Sequence, residues 1–493
     1  MAALWICLCL SLFTSPLLAL PQDQQPLNTE PVSTLSWFRD EVDLVTRLKS
    51  RLVGSDTQDE LIDHIQSELE DLEQEVLTDL WNFTYYDGPF SPPTLDIEGA
   101  ELEVTSWVPY SGVTGHSGVT GWLVNLVTPN SSASPDWEQA RGAIAVTNIT
   151  NVPFDPSILL SVWPDSLEFG VSPRVPEFAA QNHILPHLVG AARAGVKAVI
   201  YIWEEAPIEL VRGQYVAHEN LFSGVPAIFV QDLQSAKVLL EAANRSAFAT
   251  VTLHGEIVPG RQARTIYTIF EGTELKNESA IIETHTDGFN AVEENGHIAL
   301  LAQARHLAAN PPRRTTIMVF IGSHLHFPAF SPPPFRGTSR WLSEHPELWA
   351  GNGNADAFAF GGQLKGVVSS SVEHLGAVHF EPDIEADTYT RTNDTEPEVL
   401  GASTPELNDL VREYWVGADP DVLRVTNPNE GAIPVPGENY PFFLAAIPNV
   451  FLITAPDYLL KIWPEDFDEK ELIDLEAMQR QVIQNVLDLP STS

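Results

Sequence analysis

The sequence has almost no cysteine: Cys7 and Cys9 are its only two, and both lie in the first 20 residues. A chain processed after that stretch has no thiol, which excludes disulfide bonds and thiolate metal ligands. Positive charge is also scarce, because 26 Lys and Arg stand against 67 Asp and Glu, a formal net charge of −41. Nucleic acids and anionic membrane surfaces bind basic proteins, so neither is expected as a partner. Any metal ion must be held by His, Asp or Glu.

The length and composition are those of an ordinary folded protein. The chain has 493 residues, of which 44% are hydrophobic and 19% are charged. At roughly 150 residues per domain, this length predicts two to four units, or one enzyme domain that carries a large insertion.

The N-terminal segment is typical of export. Residues 1–20 contain the apolar stretch Ala2–Leu20 followed by Pro21, which predicts a secretory signal peptide, with an uncleaved membrane anchor as the alternative. We identify six Asn-x-Ser/Thr sequons, at Asn82, Asn130, Asn148, Asn244, Asn277 and Asn393. Together these features predict a secreted, extracellular glycoprotein. No other segment is long and apolar enough to cross a bilayer, so we expect no membrane association after signal cleavage.

Hydrophobic periodicity divides the rest of the chain. Residues 37–77 read as helical, and Thr57 with Glu60 forms a capping-box pattern. Residues 113–262 alternate short β-rich runs with helical segments and contain no cluster of catalytic residue types, which predicts a compact insert. From residue 263 onward, strands and helices alternate, as in Ala280–Thr284 and Asn295–Ala309. The predicted fold class is α/β, a mixed and mostly parallel sheet with helices on both faces.

Pairs of polar residues stand at four places in the predicted fold. Three of the pairs directly follow a predicted strand, and the fourth precedes a predicted helix. In open α/β sheets ligands bind beyond the carboxyl ends of strands, so these positions are the candidates for chemistry. They are His285 with Asp287, Glu293 with Glu294, His324 with His326, and Glu373 with His374. Each has an ordinary structural explanation as well, since a helix N-terminus stabilises a carboxylate without any metal. Their occurrence at successive strand exits favours a shared site.

This order of motifs resembles the co-catalytic zinc aminopeptidase and carboxypeptidase family, which has a zinc exopeptidase fold. Arg51-Leu-Val-Gly-Ser-Asp56 is similar to the lead-in of that family, and residues 113–262 resemble its inserted protease-associated domain. The resemblance implies that residues 21–112 and 263–493 form one peptidase-like domain. It also implies zinc as the cofactor and peptides as substrates.

The resemblance assigns roles to individual residues. His285 falls on the first histidine ligand of the family, and Asp287 falls on the acid that supports it. Glu294 falls on the carboxylate that bridges two metals, where Asp is usual. Glu373 falls on the next carboxylate ligand, again in place of Asp. These three donors imply one zinc ion, with a position left for water.

The remaining motifs depart from the family. Where the family has two glutamates, general base and second-metal ligand, this chain has His324-Leu325. The last histidine ligand of the family lies near the C-terminus, and this chain has no His after His379. The second metal site is therefore expected to be missing. His324, His326 or Glu293 would then accept the proton, so the catalytic candidates are His324, Glu293 and Asp287.

Three functions are compatible with this pattern. The first is a metal-dependent hydrolase that acts on peptides through an atypical single-metal site. The second is a catalytically inactive peptidase homologue that binds a peptide or glycan. The third is an acyl-transfer or cyclising enzyme similar to the glutaminyl cyclase branch, although that branch keeps the C-terminal histidine.

Overall fold

The computed structural model of the protein describes most of the chain, in nine ranges. These are residues 34–128, 134–151, 155–169, 176–215, 222–231, 233–325, 337–351, 363–432 and 435–488. Three sequence predictions lie outside the described residues: the signal peptide at residues 1–20, the sequon at Asn130 and the proton acceptor His326.

The N-terminal part consists of two helices and a long strand. These are α1 (Leu35–Leu48), α2 (Asp56–Asp71) and β1 (Val76–Asp87). The predicted capping box at Thr57 is wrong. Ser55 is the N-cap of α2 and accepts the amide of Gln58, whereas the Thr57 hydroxyl donates to the carbonyl of Ser50. The helix predicted for residues 37–77 is also wrong at its end, because Val76 begins β1.

The middle of the chain forms an eight-stranded sheet. Its elements are β2 (Thr94–Ile97), β3 (Ala100–Leu102), β4 (Ser106–Trp107), β5 (Val119–Asn125), β6 (Ile144–Thr150), α3 (Pro176–Ala194), β7 (Ala198–Glu204), α4 (Ile208–Val211), β8 (Ala227–Val230), α5 (Leu233–Asn244) and β9 (Phe248–Thr252). The strand order is β3-β2-β9-β5-β6-β7-β8-β4, and β5 to β8 are parallel. Every strand of this sheet lies between residues 94 and 252, whereas the domain bounds 113–262 stay a prediction.

A second eight-stranded sheet combines β1 with the C-terminal half of the chain. Its further elements are β10 (Glu256–Phe270), β11 (Leu275–His285), α6 (His297–Ala309), β12 (Arg314–Ile321), α7 (Gly337–Glu344), β13 (Lys365–Val372), β14 (Val378–Asp383), β15 (Thr388–Thr395), β16 (Glu398–Ala402), α8 (Pro405–Tyr414), β17 (Leu423–Thr426), α9 (Tyr440–Leu444), β18 (Asn449–Ile453) and α10 (Leu475–Asp488). The order is β1-β10-β12-β11-β13-β18-β16-β17, and β14 and β15 form a separate hairpin. The predicted mixed α/β fold is confirmed.

The centre of this sheet is buried on both faces, which fixes the direction of its side chains. The neighbouring strands β12, β11, β13 and β18 are parallel, so their carboxyl ends lie at the same edge. On β11, Ile282 packs among residues of α2 and α6, whereas Ile281 packs on the opposite face with Trp341 of α7 and Phe442 of α9. The alternation of a strand then directs Glu283 and His285 to the face of Ile281.

The middle sheet packs against the loops that follow the central strands. The part of the chain that contributes this sheet, residues 94–252, is called the middle segment. Phe289, after β11, and Leu325, after β12, share one hydrophobic cluster with Val108 and Tyr215 of the middle segment. Those loops carry the predicted site residues, so the middle segment supports the site from outside. In the part of the chain that the structure describes, no helix combines the length and hydropathy needed to span a membrane.

One predicted sequon is not available for modification in the folded chain. Asn148 is buried, and its amide nitrogen donates to Glu204 Oε2 at 2.9 Å and to the Thr128 carbonyl at 3.2 Å. The sequons at Asn82, Asn244, Asn277 and Asn393 are exposed.

Candidate metal centre

Four donors from two strand exits meet at the carboxyl edge of the second sheet. Within the described residues, His285, Glu294, Glu373 and His374 form the one group of metal-ligating side chains whose donor atoms all lie within 4.8 Å of one another. All four side chains are buried. His285 ends β11, Glu373 and His374 directly follow β13, and Glu294 lies just before α6. The three residues predicted as metal ligands are therefore brought together, and His374 joins them.

The ring of His285 has a fixed orientation. Its Nδ1 lies 2.7 Å from the backbone carbonyl of Asp287, which can only accept, so Nδ1 carries the proton and Nε2 faces the site. Nε2 lies 3.7 Å from Glu294 Oε2. Burial lowers the pKa of His285, but Asp287 and Glu294 raise it by more, and the result lies well above the ordinary value. The same carboxylates that hold a proton on this ring would attract a divalent cation.

The ring of His374 is oriented in the same way. Its Nδ1 lies 2.6 Å from the Thr454 carbonyl, so Nε2 is again directed inward, 3.6 Å from Glu294 Oε2 and 4.0 Å from Glu373 Oε2. Burial lowers the pKa of this imidazole to about 3, so it is neutral at physiological pH. A neutral Nε2 then presents a lone pair to two carboxylates, an arrangement that a cation between them stabilises.

The two carboxylates are held by further contacts. Glu294 Oε1 accepts from the Thr284 hydroxyl at 3.1 Å and from the Gly296 amide, while Oε2 accepts from the His374 amide at 3.2 Å. Glu373 Oε1 accepts from the Glu438 amide at 3.0 Å. Burial raises the pKa of Glu294 and of Glu373 to about 7. A bound cation would favour the charged form of both groups.

The donor set fits a zinc ion. Among the described residues, neither His285 Nε2 nor His374 Nε2 has a hydrogen-bond partner, although both atoms are buried. Zinc binds imidazole nitrogen and carboxylate oxygen at about 2.0–2.2 Å in a tetrahedron, whose edges are then about 3.4 Å. Three donor pairs are 3.6 to 4.0 Å apart and all donor atoms lie within 4.8 Å of one another, so the group is somewhat wider than a four-coordinate site. The outer hydrogen bonds of both rings to carbonyls are those expected of metal-bound histidines.

Next to these donors lies a histidine–glutamate pair that sequence reasoning found only in part. His324 Nδ1 is 2.5 Å from Glu438 Oε1, and the His324 ring centroid is 4.5 Å from that of His285. Glu438 is fully buried and its other oxygen accepts from the Thr338 hydroxyl, so its position is fixed. The side chain of His324 is 12% exposed, in contrast to the four donors. His324 therefore lies between the donor group and solvent.

The other two predicted catalytic residues have different surroundings. The Asp287 carboxylate accepts from the amides of His324 at 2.9 Å and Leu325 at 2.7 Å, so Asp287 connects His285 to the loop after β12. Glu293 is buried but is not a member of the four-donor group. It contributes to the negative field around the guanidinium of Arg51. The catalytic roles given to Asp287, Glu293 and His324 stay predictions.

Two residues of the centre were missed by sequence reasoning. His374 directly follows Glu373 at the same strand exit, so its position contained a signal that could have identified it. Glu438 is 114 residues from His324 and precedes a short helix, where a carboxylate has an ordinary structural role. Only the fold brings Glu438 to the site.

Comparisons with known proteins support the fold. No protein-family model matches the sequence, and no curated protein matches it. Among solved structures, a Peptidase M28 precursor from Shewanella amazonensis aligns with a TM-score of 0.64 at 13% identity, over 94% of this chain and 95% of that chain. A zinc aminopeptidase from Bacillus subtilis aligns with a TM-score of 0.59 at 15% identity, over 92% and 94%. An aminopeptidase from an Aneurinibacillus species aligns with a TM-score of 0.58 at 14% identity, over 93% and 94%. The chain therefore has the zinc aminopeptidase fold that the motifs implied.

Proposed function

We propose that this chain is a secreted metal-dependent hydrolase that acts on peptides through a single-zinc centre. The ligands would be His285, Glu294, Glu373 and His374, with the attacking water as a fifth ligand. The observation that carries the proposal is the pair of buried imidazole nitrogens, His285 Nε2 and His374 Nε2, which face the same oxygen of Glu294 at 3.7 and 3.6 Å. Without a cation, protons must compensate the buried carboxylates, which agrees with the raised pKa values of His285, Glu294 and Glu373.

Each side chain around the centre has a separate role in the proposed hydrolysis. A bound zinc ion would supply Lewis acidity, which lowers the pKa of water and polarises a carbonyl group. His324 accepts a proton from the attacking water, because it is the ring next to the donors that is open to solvent. Glu438 fixes the ring through Nδ1 and stabilises the imidazolium that proton transfer creates. Asp287 holds the backbone of His324 in place.

The names of the structural neighbours support a substrate class. The neighbours with TM-scores of 0.58 and above carry the names aminopeptidase, zinc aminopeptidase and Peptidase M28 precursor. These names support a peptide substrate for a chain of the same fold.

Export through a signal peptide at residues 1–20 is consistent with the acidic composition and the exposed sequons. We further propose that the middle segment corresponds to a protease-associated domain.

A second candidate is an inactive homologue that binds peptides or glycans. The segment Gly437–Phe442 resembles the family scaffold around its last histidine ligand, and it contains no imidazole. Its Asn439 amide donates to the Ser371 hydroxyl at 2.8 Å, a purely structural contact. This favours the loss of a second metal, and with it the loss of the usual paired-metal reaction.

Two measurements on purified protein separate these candidates. Zinc content is determined by mass spectrometry of the metal, and hydrolysis is followed with a peptide library on wild type and His285→Ala. We expect about one zinc ion per chain and loss of hydrolysis in the variant. Absence of bound zinc at neutral pH would contradict the hydrolase, and equal rates in both proteins would assign the activity to a contaminant. One bound zinc ion without turnover of any peptide would favour the binding protein.

A further inference from the structure

A buried arginine lies behind the loop that carries Glu294. Arg51 connects α1 to α2 and has no exposed surface. Its backbone pairs in both directions with Gly288: the Arg51 amide donates to the Gly288 carbonyl at 2.7 Å, and the Gly288 amide donates to the Arg51 carbonyl at 3.0 Å. Gly288 follows Asp287, so this contact fixes the chain directly after the His285 strand exit.

The guanidinium of Arg51 holds both ends of the following turn. Nη2 donates to the carbonyl of Asn290 at 3.1 Å and to that of Glu294 at 2.8 Å. Nη1 donates to the carbonyl of Lys49 at 2.5 Å, which ties the group to its own segment. A planar guanidinium makes such contacts in a fixed geometry, which the single ammonium of lysine cannot reproduce.

The charge of Arg51 faces several buried acids. Burial lowers the pKa of Arg51, and the nearby carboxylates Glu469, Glu294, Glu293 and Asp287 act in the opposite direction. The arginine therefore compensates part of the negative charge that these four acids bring to the Glu294 loop.

We propose that Arg51 is a positioning residue for the metal centre, which sets the location of Glu294 through the carbonyls of Asn290 and Glu294. This inference rests on the proposed function. It extends the site to the N-terminal lead-in, which contributes no donor of its own. Partners outside the ligand set that orient ligands typically change metal affinity about 10- to 100-fold when they are removed.

The test uses the full chain with Co²⁺ as a spectroscopic probe. Arg51→Lys keeps the charge but loses the paired contacts, and Arg51→Met loses both. We expect each to lower Co²⁺ affinity at least 10-fold and to change the intensity of the visible Co²⁺ absorption, which reports coordination geometry. The matched control is Arg305→Met: Arg305 lies on α6, pairs with Glu68 and is 31% exposed. This control should bind Co²⁺ like the wild type.

Hydrogen exchange of the metal-free protein gives an independent measurement. We expect faster exchange in residues 288–296 of both Arg51 variants and no change there in Arg305→Met. Folded Arg51 variants with wild-type Co²⁺ spectra, affinity and exchange would overturn the inference. If the wild type binds no Co²⁺, the proposed function fails, and exchange in residues 288–296 alone decides the role of Arg51.

The wild type supplies a further test if the variants do not fold. With ¹⁵N-labelled arginine, the Nη–H signals of Arg51 should exchange slowly with solvent and shift on addition of Zn²⁺. Rapid exchange, or signals that Zn²⁺ leaves unchanged, would contradict the positioning role.

Discussion

His374 Nε2 lies 3.6 Å from Glu294 Oε2, and the backbone amide of His374 donates to the same oxygen at 3.2 Å. Glu294 is thus held by the loop after β13 although it lies before α6. The contact connects two strand exits through one carboxylate oxygen. It also makes His374 as close to the shared carboxylate as His285, whose Nε2 is 3.7 Å away.

We therefore expect His374 to contribute to metal affinity as strongly as His285. His374→Ala and His285→Ala should each lower zinc affinity by more than the ~10–100-fold cost of losing a partner outside the ligand set. The measurement is a competition titration with a chelator of known affinity. His379→Ala is the control, because His379 is 29% exposed and pairs with Glu396 instead. An unchanged affinity in His374→Ala would remove this residue from the centre.

The Glu438–His324 pair leads to a prediction about turnover. Glu438→Gln keeps the size of the side chain but removes the charge that stabilises the His324 imidazolium. We expect kcat for peptide hydrolysis to fall about 10²- to 10⁴-fold, the usual contribution of general acid–base catalysis. Zinc content should stay at the wild-type level, since Glu438 supports Glu373 through its backbone amide.

The control for this prediction is Glu406→Gln, which changes an exposed acid on α8. It should leave kcat unchanged. Full activity of Glu438→Gln would show that the pair takes no part in proton transfer, and a loss of zinc would reassign Glu438 to the support of the metal ligands.

Gly437 gives a steric prediction about Glu373. Its φ is +65°, and a Cβ at this position would lie 2.4 Å from Glu373 Oε1. Gly437→Ala should displace the carboxylate and lower zinc affinity, in addition to the ~1–2 kcal/mol cost of a left-handed alanine. Gly142→Ala separates the two effects, because Gly142 has φ +71° and nothing within 4 Å of the added carbon. Chemical unfolding and zinc titration of both variants test this, and equal zinc affinity would contradict the displacement.

Residues of the centre could be predicted where a local pattern marks them, and not where their role depends on a contact with a residue far away in the sequence. His285, Glu294 and Glu373 could be selected because each lies at a strand exit or helix start that local patterns predict. The contact of His324 with Glu438 could not be predicted, because it depends on how the segment before α9 packs against β11 and β13. A local pattern also failed at Thr57, where Ser55 competes for the same cap and wins because it accepts the amide of Gln58.

A network that joins α1, α2 and the start of α6 gives a prediction about pH. His64 of α2 lies 3.1 Å from both oxygens of the buried Glu41 of α1. Burial alone would lower the pKa of His64, but the hydrogen bond and charge of Glu41 raise it above its ordinary value. Burial would raise the pKa of Glu41, but His297 and His64 lower it to about 2. Both partners are therefore charged over a wide range in the folded protein.

The sign of the effect follows from these two shifts. The raised pKa of His64 gives stability that is complete below about pH 6.5 and is lost as the pH rises through the higher folded value. The lowered pKa of Glu41 gives stability that is complete above about pH 4.5 and is lost as the pH falls toward 2. His64→Gln should therefore lower the free energy of unfolding most between about pH 4.5 and 6.5, by about 1–2 kcal/mol.

Urea unfolding at pH 5.5 and pH 8.5 measures this difference. His64→Gln should lose clearly more stability at pH 5.5 than at pH 8.5, because the stabilisation by the charged histidine is lost as the pH rises through its raised folded pKa. His116→Gln is the control, since His116 is exposed and its ring centroid lies 3.8 Å from that of His254, with the rings tilted by 47°. An equal loss at both pH values would mean that His64 stabilises the contact between α1 and α2 by packing, without a contribution from its charge.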